Sequence, residues 1–96
     1  MTIEEIVKKV SKVSNVPEKE IVGKSRKMEI AQARQVSMFL SREILGKSLS
    51  GIGMYFGGRD HTTVMHAIKT ISEKVNTDDV ISNTISKLRT DLNQSF

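Results

Sequence analysis

Apolar side chains recur at three- and four-residue intervals along almost the whole chain, which is the period of an α-helix. In the first segment, one face of a helix from Ile3 to Val13 carries Ile3, Ile6, Val7, Val10 and Val13. No segment alternates between apolar and polar residues as a half-buried strand does. The pattern therefore predicts an all-α fold, and 96 residues allow a single domain, 1–96.

Local start and stop signals divide this pattern into six helices. Thr2 and Glu5 form a T-x-x-E capping box before the first helix, and Pro17 suits the start of a short helical turn that stops near Gly23. The other four helices are predicted between Glu29 and Leu45, between Ser48 and Phe56, between His61 and Val75, and after a cap at Thr77.

The net charge of +4 comes from one stretch of the chain. From Lys24 to Arg42, five basic residues stand against the single acid Glu29, and elsewhere acids and bases balance. The five are Lys24, Arg26, Lys27, Arg34 and Arg42. The first three lie in a predicted loop at 24–28, whereas Arg34 and Arg42 fall largely off the buried stripe of the long helix. An excess this local favours a polyanionic partner.

The middle of the chain has the order of a helix-turn-helix, predicted at approximately 48–75. A short helix capped by Ser48 leads through glycines into a longer helix capped by Asp60. Glycines 51 and 53 inside the short helix each cost about 1 kcal/mol relative to alanine, which predicts close backbone packing there.

The start of the second helix carries polar groups that can read bases. Thr62, Thr63 and His66 share one side of that helix, Asp60 and His61 project from its first turn, and the apolar residues point away. Hydroxyl, imidazole and carboxylate groups can all bind base edges in a major groove. Backbone N–H groups and the cation of Arg59 stand close to where a phosphate would pass.

Several kinds of chemistry are excluded by the residues present. There is no cysteine for a disulfide or a thiolate metal site. A P-loop would need glycine where Ser41 or Glu18 stands. His61 and His66 lie roughly 140° apart around a helix, so they do not converge on a metal. No apolar run is long enough to span a membrane. We therefore expect a soluble domain that is not an enzyme.

Two functions remain open from the pattern alone. One is a helix-turn-helix that binds DNA, with the loop at 24–28 on phosphates or in a minor groove. The other is an interaction module whose basic face docks an acidic protein or an anionic membrane surface. The second would leave the polar side chains of the recognition helix without a role.

The stretch from Gly57 to Ala67 reads GGRDHTTVMHA and closely resembles the signature of the DNA-binding domain of the DnaA family, the bacterial chromosomal replication initiators. The stretches at 24–27 and 32–35 are similar to that family's basic loop and following helix, and the resemblance covers essentially the whole chain. It implies a compact Trp-repressor-like bundle of about six helices. It also implies binding to double-stranded DNA at short origin repeats, the DnaA boxes.

The resemblance also implies a role for each candidate residue. The residues that read bases and phosphates in the major groove are Asp60, His61, Thr62, Thr63 and His66. Arg26 enters the minor groove, Arg34 and Gln35 approach the backbone and nearby bases, and Arg42 replaces a lysine of the family. Leu49 and Ser50 stand where the family usually has Leu-Pro, both DNA contacts, so Ser50 is a departure. Apart from the resemblance, the positions of Lys24 and Lys27 in the basic loop and of Arg59 beside the helix start predict phosphate contacts.

The remaining expectations also come from the resemblance. The domain needs no cofactor, because the family's ATP site lies in a module outside these residues. Contacts with other initiator subunits would use domains outside them too. We expect the isolated domain to be monomeric and to act in the bacterial cytoplasm, associated with the nucleoid.

Overall fold

The computed structural model describes residues 1–93, within which the backbone forms six α-helices and no strand. The helices are α1 (Ile3–Ser14), α2 (Glu18–Ile21), α3 (Met28–Leu45), α4 (Leu49–Tyr55), α5 (His61–Thr77) and α6 (Asp79–Asn93). The all-α prediction is therefore confirmed.

Side chains that accept from backbone N–H groups begin three of the helices, as predicted. The Thr2 hydroxyl accepts from the N–H of Glu5 at 3.2 Å, and the Ser48 hydroxyl accepts from that of Gly51 at 3.0 Å. At α5, the Asp60 carboxylate is the cap. These contacts satisfy donors that have no partner within the helix, and they set where each helix begins.

The junction between α5 and α6 corrects one prediction. Helix α5 continues to Thr77, whose hydroxyl donates to the Glu73 carbonyl at 3.3 Å, so Thr77 is not the cap of the last helix. Asp78 takes that position, because its carboxylate accepts from the N–H of Ile81 at 3.1 Å. The cap lies one residue later than predicted.

Helix α3 is the centre of the bundle, because α1, α2, α4 and α5 all pack against it. Its interior side includes Leu40, which is completely buried, and two buried serines. The hydroxyls of Ser37 and Ser41 donate to carbonyls one turn earlier, at 2.9 and 2.7 Å, so these polar groups are satisfied inside the helix itself. Helix α6 packs on α1 and α5, and the Cα radius of gyration is 11.9 Å.

The turn between α4 and α5 is held by backbone contacts at Gly53. The Gly53 carbonyl accepts from the N–H groups of Gly58 at 3.0 Å and of Arg59 at 2.9 Å. Gly57 and Gly58 have φ values of 86° and 79°, which favour glycine. A Cβ on Gly53 would lie 2.1 Å from the Arg59 carbonyl oxygen. The predicted close packing is confirmed at Gly53.

The same prediction is wrong at Gly51. This residue is exposed, and a Cβ there would lie near one atom, the Ser48 hydroxyl oxygen at 3.1 Å. Gly51 is in the first turn of α4.

Candidate nucleic-acid interface

The first two turns of α5 present five polar side chains to solvent. Asp60, His61, Thr62, Thr63 and His66 are all exposed. The apolar positions of the same helix are buried, including Val64, Ala67 and Ile71. Because burial of the apolar positions fixes the rotation of the helix, the polar side of its N-terminal half faces outward as one surface.

Asp60 caps α5 and remains charged. Its Oδ1 accepts from the backbone N–H of Thr63 at 2.8 Å. This hydrogen bond and one from the Thr63 hydroxyl lower the pKa of Asp60, and the nearby His61 has the same effect. The carboxylate is therefore an acceptor at neutral pH, which is the form that binds a cytosine amino group.

The lowered pKa of Asp60 predicts a pH-dependent difference from an Asp60→Asn variant. A folded-state pKa below the unfolded value of about 3.9 stabilises the fold above that pH. The stabilisation is lost as pH falls through the folded-state value. Asn keeps a cap but not the charge, so wild type should melt higher at neutral pH and the gap in Tm should shrink in acid. A gap that stays constant down to strongly acid pH would contradict this.

The segment between α2 and α3 is the basic loop. Lys24, Arg26 and Lys27 are exposed in it, and Lys27 is the residue directly before α3. The N–H of Lys27 donates to the Ser25 hydroxyl at 3.3 Å. Three cationic side chains thus project from a short segment with few contacts of their own.

Arg34 is not where the helical pattern predicts it. It lies on the interior side of α3, with 6% of its surface exposed. Its guanidinium donates to the carbonyls of Ile21 at 2.7 Å, Ser25 at 2.9 Å and Glu20 at 3.0 Å. Burial and the neighbouring Arg59 lower the pKa of Arg34. The stripe prediction is wrong here because α2 and the basic loop fold over this part of α3.

Arg59 is also held by the protein. Its Nη2 donates to the Gly23 carbonyl at 2.8 Å and its Nε to the Phe56 carbonyl at 3.1 Å, and the side chain is half-buried. Together with Arg34 it lines an open groove of about 290 Å³ between α3 and α5, which we call the α3–α5 groove. The groove is lined by Ala31, Arg34, Gln35, Met38, Arg59, Thr63, His66, Ala67 and Thr70.

The groove brings together predicted residues from three parts of the sequence. Arg34 and Gln35 come from α3, Arg59 comes from the α4–α5 turn, and Thr63 and His66 come from α5. Other predicted residues lie outside it. The Nη1 of Arg42 donates to the Lys47 carbonyl at 2.8 Å, near the end of α3. Leu49 is half-buried and Ser50 is exposed in the first turn of α4.

A family model described as bacterial dnaA protein helix-turn-helix matches residues 3–71. The chain belongs to this DnaA family. The chromosomal replication initiator protein DnaA of Ruegeria pomeroyi is 45% identical over 89 residues, which are 93% of this chain and 19% of that protein. DnaA of Limosilactobacillus fermentum is 44% identical over 92 residues, which are 96% of this chain and 21% of that protein.

The chain spans about a fifth of the length of these curated DnaA relatives. As a DnaA helix-turn-helix domain it is a DNA-binding module without catalysis of its own. Within residues 1–93, no three His, Asp or Glu side chains are placed to hold a metal ion. No helix in that same part of the chain is long and apolar enough to cross a membrane.

Four residues that line the α3–α5 groove in this DnaA domain were not among the predicted site residues, namely Ala31, Met38, Ala67 and Thr70. Ala31 lies one turn before Gln35 on α3, and Thr70 lies one turn after His66 on α5. Both could have been found by extending each predicted contact by four residues along its helix, since such residues share a face.

Proposed function

We propose that this domain binds double-stranded DNA sequence-specifically at DnaA boxes and thereby supports the initiation of chromosomal replication. The observation that carries the proposal is the exposed polar side of α5 next to a cationic loop. The family to which the chain belongs and the names of its relatives support the same role.

The proposed DNA contacts are assigned to side chains that are exposed on α5 and exposed or half-buried at the start of α4. The recognition helix α5 enters the major groove, where Thr62, Thr63 and His66 meet bases and phosphates and Asp60 and His61 lie at the helix start. Threonine methyl groups suit thymine methyls, and imidazole N–H suits purine acceptors. Helix α4 lies across the backbone, with Leu49 and Ser50 close to it. The serine hydroxyl there donates a hydrogen bond where proline makes an apolar contact.

The basic loop supplies the second set of proposed contacts. Arg26 enters the adjacent minor groove, whose negative potential is greatest where it is narrow. Lys24 and Lys27 contact phosphates on either side, and Arg42 contacts a phosphate near the end of α3. Gln35 reaches the backbone from the rim of the α3–α5 groove.

The proposal is tested by titrating the domain with a DnaA-box duplex and a scrambled duplex of the same composition, at about 50 and about 200 mM salt. At the higher salt concentration, the domain should bind the box duplex at least about 1,000-fold more tightly than it binds the scrambled duplex. Equal affinity for the two duplexes would refute the sequence-specific role while leaving general DNA binding in place.

Lys27→Ala should weaken binding to both duplexes alike, because a phosphate contact carries no sequence information. The plot of log affinity against log salt should become shallower by about one unit, since one fewer counterion is released. Lys8→Ala is the matched control, because Lys8 is exposed on α1, away from the α3–α5 groove. A Lys27 variant that loses box binding alone would show that this side chain reads sequence.

We further propose that the isolated domain is monomeric and that the whole protein works in the bacterial cytoplasm at the nucleoid. Contacts with other initiator subunits and with ATP would then be made outside these residues. Sedimentation of the domain alone and with one box duplex tests the first point, and a one-to-one complex is expected.

A further inference from the structure

Two arginines, Arg34 and Arg59, donate hydrogen bonds to backbone carbonyls of the basic loop. The three carbonyls that accept from Arg34 belong to α2 and the loop, and the carbonyl of Gly23 accepts from Arg59. Within residues 1–93, neither guanidinium has a carboxylate partner. The hydrogen bonds described for both guanidiniums therefore go to peptide carbonyls.

The loop peptides are oriented by these contacts. In a trans peptide the N–H points opposite to the C=O, and there is no cis peptide in the described chain. Since the carbonyls of Gly23 and Ser25 point at the arginines, the N–H groups of Lys24 and Arg26 point away from them. These two loop peptides therefore present the positive ends of their dipoles away from the arginines.

Arg59 differs from Arg34 because it links the loop to the recognition helix. Its own N–H donates to the Gly53 carbonyl at 2.9 Å, so the start of its side chain is fixed at the α4–α5 turn. The guanidinium then reaches Phe56 in the same turn and Gly23 in the loop, 36 residues earlier in the chain. Asp60, the cap of α5, is the next residue.

We infer that Arg59 is a positioning residue that sets the basic loop relative to α5, so that Arg26 meets the minor groove while the helix reads the major groove. This inference rests on the proposed function. It assigns the Nε and Nη2 donors of Arg59 to two protein carbonyls and not to a phosphate. Fixing the two elements in advance saves the ordering cost of binding, which is how preorganisation raises affinity.

A double-mutant cycle tests this role. Arg59→Met keeps the length of the side chain and removes its hydrogen bonds, and it is combined with Arg26→Ala. In an otherwise wild-type domain, Arg26→Ala should lower box affinity by about tenfold or more. In the Arg59→Met background the same change should cost about twofold or less, because the loop no longer holds position 26 in place. If Arg26→Ala lowers box affinity by the same factor in both backgrounds, the inference is overturned.

The salt dependence separates positioning from direct contact. With Arg26 already replaced by alanine, Arg59→Met should change the slope of log affinity against log salt by much less than one unit. Arg42→Met, which removes an arginine that also donates to a carbonyl, is the matched control and should make the slope shallower by about one unit. The same shallower slope for Arg59→Met would show that Arg59 contacts a phosphate, contrary to the inference.

A measurement without DNA distinguishes this inference from the proposed function. In the free domain, the backbone order parameters of Lys24–Lys27 should fall from about 0.85 towards 0.6 in Arg59→Met, while those of α5 stay unchanged. Unchanged loop values would overturn the inference even if box binding is specific. If Arg59→Met does not fold, Arg59→Lys replaces it, since its single ammonium should hold one carbonyl and loosen the loop less. If the wild-type domain shows no preference for the box duplex, the proposed function is refuted, but the role of Arg59 in ordering the loop is not.

Discussion

The Gly53→Ala variant should lose about 3 kcal/mol or more of its free energy of unfolding. The added methyl group would lie 2.1 Å from the carbonyl oxygen of Arg59, which is a backbone atom and cannot rotate away. To make room, the α4–α5 turn must open and give up the hydrogen bonds to the Gly53 carbonyl. The gain of about 1 kcal/mol in helix propensity offsets only part of this.

Gly51→Ala is the matched control, two residues earlier in the same helix. Its methyl group would meet the side chain of Ser48 alone, so the change in stability should lie within about 1 kcal/mol of zero. Urea denaturation of both variants and of wild type measures the difference. Equal stabilities for the two variants would show that the turn can relax around a methyl group at 53.

The second large effect is expected on DNA binding. A Thr63→Ala, His66→Ala double variant should bind a DnaA box about 100-fold more weakly and a scrambled duplex nearly as well as wild type does. Both side chains are exposed on one side of α5, where the helix would face base edges. Because they are neighbours, the two losses need not add, and each single variant should be measured as well.

The control for this experiment is Ser72→Ala, another exposed position of α5 beyond its first three turns. It should leave both affinities unchanged, and all four variants should keep the melting temperature near that of wild type. A double variant that retains its preference for the box would remove α5 from sequence reading. Sequence preference would then rest on other residues, such as Arg26.

The helix starts were predictable because a cap acts over three residues and so is written locally. Thr2, Ser48 and Asp60 each accept the N–H that the sequence pattern assigns to them. The start of α6 was not predictable in this way, since the adjacent residues Thr77 and Asp78 are both of a type that can cap a helix. Here α5 continues through Thr77, and Asp78 caps α6.

The exposed half of the site was likewise predictable from the phase of one helix. Once Val64 and Ala67 are placed inside, Thr62 and His66 must face outward. The position of Arg34 could not be obtained in this way. Its hydrogen-bond partners lie nine to fourteen residues upstream, in a segment whose path over α3 has no periodic signal.

The hydrogen bond from Arg59 to the Gly23 carbonyl also affects when the basic loop becomes ordered during synthesis of the chain. Gly23 leaves the ribosome 36 residues before the arginine that holds it. At roughly 5–20 residues per second, the cationic loop is without this support for about 2–7 s. In that interval the nascent chain can attract nucleic acid by charge alone. Preference for one sequence over another can follow only after α5 has been made.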